Sequence, residues 1–500
     1  MRANIRPQLE ASILFPVAQK HVRPVCCAIV SQQAPTASRR RQIHTSPRQG
    51  QDAVLNASAA VTASPVVSRG QAYTTTAAPA MSALSCLPLS QVLRTYLITS
   101  VSSSPSLLRL STSILRRMLE SKSPLFRIDS NPLIRSLLWH TFYRQFCAGE
   151  TPAQVAKATA ELREQGYSGV ILEYALEVLK DAEGNEAEDV ARWRKRLLET
   201  VSMAQPGDFV GLKWSGMGAA AMRKMKADDE PAERMSEAMH AVCKAAQDKG
   251  VSLLPAAEET WSLSGFHNWC MAMQRVYNLG GKSVVYNTYQ AYLKQTPETI
   301  SKHLTEAKTQ GFTLGVKLVR GAYLGSEERS LIWPSIEKTH EAYDAIAEAL
   351  MRRKYNSVIK RFEGERADVW PNVNVVLATH NAESVRKAQT IRNLQAGLGE
   401  KLTPLAFAQL QGMADEVSCT LIAAAKQAEM AEQSGEGSGS SRIVKESVLK
   451  CTTWGSMYEC LNYLLRRAAE NKDAAGRTAG TRQAMKEELW RRMKAMVGYA

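Results

Sequence analysis

Short apolar segments rich in β-branched residues alternate with longer helical segments from about residue 166 onward, and this alternation constrains the fold more than any other feature. Strands that alternate with helices are typical of βα units, in which the strands run parallel. The predicted strands are 169–174, 209–215, 251–256, 283–289, 313–319, 373–379, 405–410 and 447–452. Eight such units in roughly 320 residues predict an α/β fold, a (β/α)8 TIM-type barrel.

The predicted helices between the strands include 186–204, 233–249, 261–278, 297–310 and 336–353. A doubly wound dinucleotide fold would instead carry a Gly-rich turn after its first strand. The sequence there is Glu173-Tyr174-Ala175, which offers no such turn and favours the closed barrel. Glycines within a serine cluster predict a flexible insertion near 428–443, and a second polar insertion is predicted at 354–368.

Polar residues follow most of the predicted strands. Catalytic side chains of a (β/α)8 barrel lie at the C-terminal ends of its strands. The residues at these positions are Lys213, Gln290, Tyr292, Lys317, Arg320, Tyr323, Thr379, His380, Asn381, Gln409, Gln411, Arg466 and Arg467. A snorkelling lysine, a capping histidine or a tight turn explains each of them singly, but their coincidence at six strand ends favours a site.

Arg466 and Arg467 are adjacent on a helix predicted near the C-terminus. Two planar guanidinium groups can bind a carboxylate through paired hydrogen bonds that a lysine cannot reproduce. Glu470 follows them at helical spacing, so ion pairs on a solvated helix face explain the same pattern. The other polar strand ends make a carboxylate site the better interpretation.

Residues 1–80 carry nine basic and two acidic side chains in a background rich in Ser, Thr and Ala. This composition predicts a mitochondrial transit peptide and a disordered N-terminus; a basic disordered tail without targeting function is the alternative. The sequence Arg41-Gln42-Ile43-His44-Thr45-Ser46 matches two-step matrix processing, with a mature start near Gln51. Because this segment holds +7 of the +15 net charge and no basic run is interleaved with aromatics, nucleic-acid binding is not expected.

Residues 81–160 are predicted to form N-terminal helices, and residues 161–490 the catalytic barrel. The Leu-rich stretch 84–119 predicts one or two amphipathic helices that cover the domain or contact a membrane surface. No window has enough uninterrupted apolar residues for a spanning helix, so the chain is expected to be soluble or peripheral. The nine cysteines contain no C-x-x-C pair, so no disulfide framework is predicted. Only Glu383 lies at ligand spacing from His380, so no metal site is predicted.

Four motifs in order carry a resemblance to a known family. They are K-L-V-R-G-A-Y-L at 317–324, A-T-H-N at 378–381, Q-L-Q-G-M at 409–413 and Y-L-L-R-R-A-A-E-N at 463–471. Together they resemble the proline dehydrogenase family, over about two thirds of the chain from Phe142 onward. The resemblance implies a distorted barrel that binds FAD and oxidises L-proline to 1-pyrroline-5-carboxylate, the first step of proline catabolism. Eukaryotic members are mitochondrial and pass electrons to a quinone on the matrix side of the inner membrane, so peripheral contact with that membrane is expected.

The resemblance also implies a role for each matching residue. Arg466 and Arg467 would bind the substrate carboxylate with help from Lys213, and these three with Tyr323 form the implied catalytic set. The remaining residues implied to contact the substrate are Glu177, as a gate that pairs with Arg466, and Ala322, Leu410 and Cys451, which flank the ring. The residues implied to bind FAD are Gln290, Lys317, Gly321, Thr379, His380, Asn381 and Glu470. The implied substrate is a small zwitterion with one carboxylate and an apolar ring. Paired cations can bind the carboxylate, and apolar side chains that exclude water can pack against the ring.

Two positions depart from the family pattern. Ala256 stands where members carry an active-site aspartate, so a catalytically impaired flavin-binding homologue is one alternative. Cys451 stands where proline-specific members carry a tyrosine against the substrate ring, and a smaller side chain leaves room for a ring hydroxyl. Members that prefer hydroxyproline also carry a small residue there. Hydroxyproline or another cyclic imino acid is therefore an open alternative to proline.

Overall fold

The computed structural model describes residues 82–121, 123, 126, 128, 131–175, 184–361, 369–433, 443–470 and 478–498. Its centre is a parallel sheet in which eight strands follow the order β4-β3-β2-β9-β8-β7-β6-β5, and β1 pairs with β9 outside this ring. The strands are β1 (Cys147–Gly149), β2 (Gly169–Tyr174), β3 (Phe209–Leu212), β4 (Ser252–Pro255), β5 (Asn287–Gln290), β6 (Leu314–Val319), β7 (Val373–Ala378), β8 (Leu405–Leu410) and β9 (Ser447–Trp454).

The two end strands of this sheet, β4 and β5, meet at a single parallel bridge between Leu253 and Val285. Leu253 N donates to Val284 O at 2.6 Å, and Tyr286 N donates to Leu253 O at 2.9 Å. These two hydrogen bonds join β4 to the residues just before β5, so the barrel is nearly closed. The eight-stranded barrel predicted from the sequence is therefore confirmed.

Fifteen helices of the described residues surround or precede the barrel. They are α1 (Leu89–Ser102), α2 (Pro105–Glu120), α3 (Pro132–Leu138), α4 (Arg144–Phe146), α5 (Pro152–Glu164), α6 (Glu186–Met203), α7 (Ala219–Ala227), α8 (Glu233–Lys249), α9 (Leu263–Tyr277), α10 (Thr296–Gln310), α11 (Ile336–Arg352), α12 (Ala382–Gly397), α13 (Asp415–Gln433), α14 (Met457–Glu470) and α15 (Thr478–Met496). Gly250 and Gly311 end α8 and α10 in the left-handed conformation that glycine adopts without steric cost.

The barrel strands are buried on both faces. One face packs against the surrounding helices in two large apolar clusters. The other face fills the barrel interior with Ile171, Leu254, Tyr286, Val376, Ala406, Ala408 and Leu449. Because side chains alternate along a strand, the next inward position after Ile171 is Glu173, after Ala408 is Leu410, and after Leu449 is Cys451. The interior thus changes from apolar to partly polar towards the C-terminal mouth.

Two predicted strands have one boundary that is wrong by three or four residues, and a side-chain hydrogen bond explains each. The strand predicted at 209–215 ends at Leu212, because the Lys213 carbonyl accepts from Trp193 Nε1 at 3.0 Å and from Gly216 N at 3.2 Å. A 3-10 turn, Trp214–Met217, follows, so Lys213 lies after the strand and not within it.

The strand predicted at 283–289 begins only at Asn287 and ends at Gln290. The Asn278 side-chain carbonyl accepts from the backbone N–H groups of Val284 and Val285, each at 2.8 Å. It therefore occupies donors that a strand ladder would use. The last predicted strand, 447–452, is longer than expected and continues to Trp454.

The N-terminal stretch 84–119 forms the two helices α1 and α2 over most of its length. Among the described residues, no helix combines the length and apolar character needed to cross a bilayer. The predicted transit peptide, most of the glycine-rich insertion and part of the insertion at 354–368 lie outside the described residues.

Candidate active site at the barrel mouth

An ion pair joins the loops that follow β3 and β4. Lys213 Nζ lies 3.4 Å from Glu258 Oε1, and the two side chains are only 16% and 23% exposed. The buried Gln290 at the end of β5 donates from Nε2 to the Glu258 carbonyl at 2.8 Å, which fixes this turn. Ala256 leaves this loop without the family's aspartate, and Glu258 stands at the glutamate of the same Asp-Ala-Glu stretch. The sequence interpretation gave Glu258 no role.

A thiol and a carboxylate meet on the neighbouring strands β9 and β2. Cys451 Sγ on β9 lies 3.9 Å from Glu173 Oε2 on β2. Burial raises the pKa of the Cys451 thiol to about 12; the Glu173 carboxylate adds to this rise and Lys317 opposes it. The thiol is therefore neutral near pH 7 and can donate a hydrogen bond to Glu173. Glu173 is a second residue that the sequence interpretation missed, although its inward position two residues after Ile171 signalled it.

Helix α14, which carries the two adjacent arginines, contributes to a crevice at this mouth. The crevice is open to solvent and lies between α6, the ends of β2 and β3, and α14. Its lining includes Glu173, Tyr174, Lys213 and Tyr463. Arg466 and Arg467 follow Tyr463 by three and four residues, which places them one helical turn further along the same side. The Arg467 guanidinium lies 5.5 Å from the centroid of the Tyr463 ring.

Two hydrogen bonds hold the first turn of helix α14 in place. Glu459 Oε1 accepts a hydrogen bond from Tyr174 OH at 2.8 Å, and Met457 N donates to Glu150 Oε1 at 2.7 Å. Its apolar side buries Met457, Cys460, Leu461 and Leu465 against the N-terminal helices. Tyr463 of this helix lines the crevice, and Glu459 contacts Tyr174, which also lines it. Glu177 and the side chain of Glu470 lie outside the described part of the chain.

Arg320 connects the ends of β6 and β7. Its guanidinium donates to His340 Nδ1 at 3.1 Å, Thr379 Oγ1 at 2.5 Å and Ser384 Oγ at 2.7 Å. It also stacks 4.2 Å from the centroid of the Tyr343 ring. Burial, together with the Arg320 charge, lowers the pKa of His340, so the ring accepts as neutral imidazole.

The predicted Thr379-His380-Asn381 segment forms a fixed turn between β7 and α12. Asn381 caps α12 by accepting from Ser384 N at 2.9 Å, and Asn381 N donates to Thr379 Oγ1 at 3.1 Å. His380 is exposed, and its Nε2 accepts from Leu410 N at 3.1 Å, which ties this turn to the end of β8. Leu410 itself is 43% exposed at the mouth.

The loop after β6 carries Gly321, Ala322 and Tyr323. Gly321 has φ +135°, and a Cβ there would lie 2.3 Å from the Tyr292 ring, so only glycine fits. Glu327 anchors the loop to the segment after β4 by accepting from Thr260 N at 2.8 Å and from Thr260 Oγ1 at 2.5 Å. Ala322 is exposed and Tyr323 is half-buried.

The described residues contain no group of three or more His, Cys, Asp or Glu side chains arranged to hold a metal ion. The strand ends instead combine the cations Lys213 and Lys317 with the carboxylates Glu173 and Glu258, and α14, the helix that carries Arg466 and Arg467, lies beside the crevice. Such a set can bind an anionic group of a small molecule, with the open crevice as the entry.

Comparison with known proteins gives matches over most of the barrel. A family model described as "Proline dehydrogenase" matches residues 155–480. "Proline dehydrogenase 2, mitochondrial" of Arabidopsis thaliana is 26% identical over 425 residues, which cover 73% of this chain and 80% of the relative. "Hydroxyproline dehydrogenase" of Mus musculus is 32% identical over 266 residues, 51% of each chain.

A solved structure shares the fold. Proline utilization A from Bdellovibrio bacteriovorus, inactivated by N-propargylglycine, superimposes with a TM-score of 0.53 at 16% sequence identity. The match covers 77% of this chain and 40% of that one, so this chain spans less than half of the bacterial protein.

Proposed function

This chain belongs to the proline dehydrogenase family, and from this premise we propose that it oxidises L-proline to 1-pyrroline-5-carboxylate with FAD, as the first step of proline catabolism. The family match itself indicates an oxidoreductase that uses a flavin, a small-molecule substrate and an electron acceptor. FAD as the flavin, a quinone as the acceptor and the identity of the product are the parts that we add.

The observation that carries the proposal is the position of α14. Tyr463 lines the same crevice as Glu173 and Lys213, so the helix with two adjacent arginines borders the C-terminal mouth of the barrel. Active sites of (β/α)8 enzymes lie at this end. A carboxylate-binding helix at that place suits an amino-acid substrate.

Arg466 and Arg467 bind the substrate carboxylate in this proposal, and Lys213 assists them from the loop after β3. Glu258 holds the Lys213 ammonium in position through their ion pair. The substrate amine must be neutral when the neighbouring C–H bond breaks. Three cations around the site favour this, because like charge lowers the pKa of an ammonium group. Tyr323, Ala322 and Leu410 flank the ring and exclude water.

The residues at the mouth offer hydrogen-bond donors that suit the acceptor atoms of a flavin. An isoalloxazine ring presents oxygen and nitrogen acceptors, and the mouth offers the Gln290 amide and the Lys317 ammonium. When bound, the flavin supplies the oxidant that takes two electrons with the departing hydrogen. The residues that would hold it are Gln290, Lys317, Gly321, Thr379, His380, Asn381 and Glu470. Because the Thr379 and Asn381 side chains are used in the turn, their part is to fix its backbone.

Hydroxyproline is the second candidate substrate, and the environment of Cys451 favours it. The thiol is small, partly exposed, and 3.9 Å from the Glu173 carboxylate. A substrate hydroxyl near Cys451 would find a strong hydrogen-bond acceptor in Glu173. A catalytically impaired homologue is the third candidate, because Ala256 removes the family's aspartate and Glu258 is only the glutamate of the same stretch.

We further propose that the protein is mitochondrial, with residues 1–80 as transit peptide, 81–160 as N-terminal helices and 161–490 as the catalytic domain, and that it acts on the matrix side of the inner membrane. The mitochondrial relatives support the organelle. Leu107, Leu110 and Ile114 are exposed on α2 near basic side chains, which suits peripheral contact with an anionic bilayer.

The test is anaerobic addition of L-proline to the purified full chain loaded with FAD, with trans-4-hydroxy-L-proline in parallel. Loss of the visible flavin absorbance, with 1-pyrroline-5-carboxylate trapped by o-aminobenzaldehyde, is expected with proline. Faster loss with hydroxyproline supports the second candidate. A flavin-loaded protein whose absorbance neither substrate changes contradicts both and supports the impaired homologue.

A further inference from the structure

Two thiols from distant parts of the sequence touch near the start of α13. Cys86 ends the short 3-10 helix Ala83–Cys86, and Cys419 lies in α13. Their sulfur atoms share a hydrogen bond at 3.5 Å across a sequence separation of 333 residues. A disulfide bond is about 2 Å long, so the sulfurs must approach by about 1.5 Å to bond.

The two thiols differ in exposure and acidity. Cys419 is fully buried, whereas Cys86 is half-buried and reachable from solvent. The pKa of Cys86 lies below its ordinary value, because the Cys419 thiol stabilises the Cys86 thiolate and Lys426 adds positive charge; desolvation and Asp415 oppose the shift. The pKa of Cys419 is raised by the same contact and by burial. Cys86 is thus the thiol suited to react with an oxidant, and Cys419 is the thiol within contact distance of the product.

Another sulfur pair in the described chain lacks this asymmetry. Cys147 and Cys460 are both buried, at 3% and 0% exposure. Burial and the neighbouring Cys460 raise the pKa of Cys147 well above its ordinary value. Neither sulfur is accessible to solvent, so this pair serves as an internal comparison.

The segment that carries Cys86 is held against α13 and α15. Arg492 in α15 donates to the carbonyls of Leu84 and Leu87 at 3.1 and 2.8 Å, and the buried Glu488 fixes Arg492. Leu84, Leu87 and Cys419 share one apolar cluster. A covalent bond at this point would replace contacts that already exist and would require little rearrangement.

We propose that Cys86 and Cys419 form an oxidation site, at which hydrogen peroxide converts the two thiols to a disulfide that ties the N-terminal segment to α13. The Cys86 thiolate attacks one peroxide oxygen; an S–O bond forms, the O–O bond breaks, and hydroxide leaves as water after taking a proton. Cys419 then attacks the Cys86 sulfur; the S–S bond forms, the S–O bond breaks, and the Cys419 proton leaves with hydroxide as water. One peroxide is reduced to two waters and two thiols are oxidised.

The test is a non-reducing peptide map of the full chain after hydrogen peroxide treatment and blocking of the remaining thiols with N-ethylmaleimide. The expected product is a Cys86–Cys419 linked peptide that dithiothreitol reverses, with Cys147 and Cys460 still blocked as thiols. The unfolding midpoint of the oxidised chain is expected to rise, because the bond closes a very long loop.

Two variants separate the steps. Cys86→Ser should slow the loss of the Cys419 thiol at least tenfold, and Cys419→Ser should leave a Cys86 sulfenic acid that dimedone traps. Cys147→Ala, in the buried pair, should leave the linked peptide unchanged. Cys86 sulfinic acid beside an intact Cys419 thiol in the wild-type chain would overturn the proposal. So would an unreacted Cys86 when buried cysteines are oxidised.

Discussion

Lys213 is the residue at the mouth whose contribution can be isolated most readily. It is 16% exposed and paired with Glu258, so its charge acts with little screening by solvent. If it contacts the substrate carboxylate, Lys213→Met removes a charge-assisted interaction of about 1.5–3 kcal/mol. We expect the KM for proline to rise by about ten- to a hundredfold, measured by steady-state kinetics.

Two further variants make this test specific. Lys213→Arg should recover part of the affinity, because the charge remains. Lys226→Met removes an exposed lysine of α7 and should not change KM. A KM for Lys213→Met equal to that of the wild type would exclude Lys213 from the substrate site.

Cys451 is predicted to set the preference between ring substrates. Replacing the thiol by the family's aromatic side chain fills the space beside the ring and covers Glu173. We expect Cys451→Tyr to shift the ratio of kcat/KM for proline over hydroxyproline towards proline by about tenfold or more. Cys243→Ser, a buried cysteine in α8, is the matched control. An unchanged ratio would remove Cys451 from the account of specificity.

The residues at the mouth divide into those that the sequence could predict and those that it could not. Lys317 and Cys451 lie within predicted strands and Lys213 just beyond the end of β3, and the strand period and family motifs identify them. Alternation along β2 places Glu173 on the inward face, but its contact with Cys451 could not be predicted, because it spans 278 residues and exists only once β9 pairs with β2. Contacts of this kind follow from the register of the closed barrel, which a local pattern does not contain.

At the scale of elements, a buried ion pair fixes the loop after β8. Lys450 Nζ on β9 lies 2.8 Å from Asp415 Oδ1 at the start of α13, with exposures of 1% and 0%. The same ammonium donates to the carbonyls of Met413 and Leu410, at 2.8 and 3.3 Å. Lys450 therefore holds the segment that carries Leu410 to the mouth.

Removal of one partner of this pair should destabilise the fold strongly. Lys450→Met leaves the Asp415 carboxylate buried without its cation, which costs about 3–5 kcal/mol. We expect the urea unfolding midpoint to fall accordingly. The double variant Lys450→Met/Asp415→Leu should recover most of the loss, because no charge is then left buried. A single variant as stable as the wild type would show that the pair contributes little.

Element boundaries were less predictable than element order. The alternation of strands and helices identified eight barrel strands in their correct sequence order. The start of β5 was missed because Asn278, at the end of α9, takes the hydrogen-bond donors of Val284 and Val285. A side chain on one element can take the backbone hydrogen bonds that a neighbouring strand would use. Such competition leaves no periodic signal in the sequence.

At the scale of the whole molecule, two buried histidines link stability to pH. His267 Nδ1 lies 2.8 Å from Asn287 Oδ1, and His303 Nδ1 lies 2.7 Å from Tyr289 OH, between α9, α10 and β5. Burial lowers the pKa of His267 to about 4, although its bond to Asn287 opposes this. Burial and the neighbouring His267 lower the pKa of His303 well below its ordinary value.

A lowered histidine pKa makes the folded state lose stability as pH falls. Above pH 6.5 both states hold neutral His267; between about pH 6.5 and 4 only the unfolded chain binds the proton. We expect His267 alone to reduce the free energy of unfolding by about 3 kcal/mol across this window. Urea titrations at several pH values measure the slope, which His267→Gln should flatten. An equal slope in the variant would assign the dependence to other groups.

In the proposed mechanism, the paired arginines of α14 bind the substrate carboxylate at the barrel mouth. The most direct measurement is anaerobic titration of the flavin-loaded chain with L-proline, comparing wild type, Arg466→Met, Arg467→Met and the control Arg482→Met on α15. We predict that each α14 variant needs about ten- to a hundredfold more proline for half reduction of the flavin, whereas Arg482→Met behaves as wild type. Half reduction at the wild-type proline concentration in both α14 variants would contradict the claim.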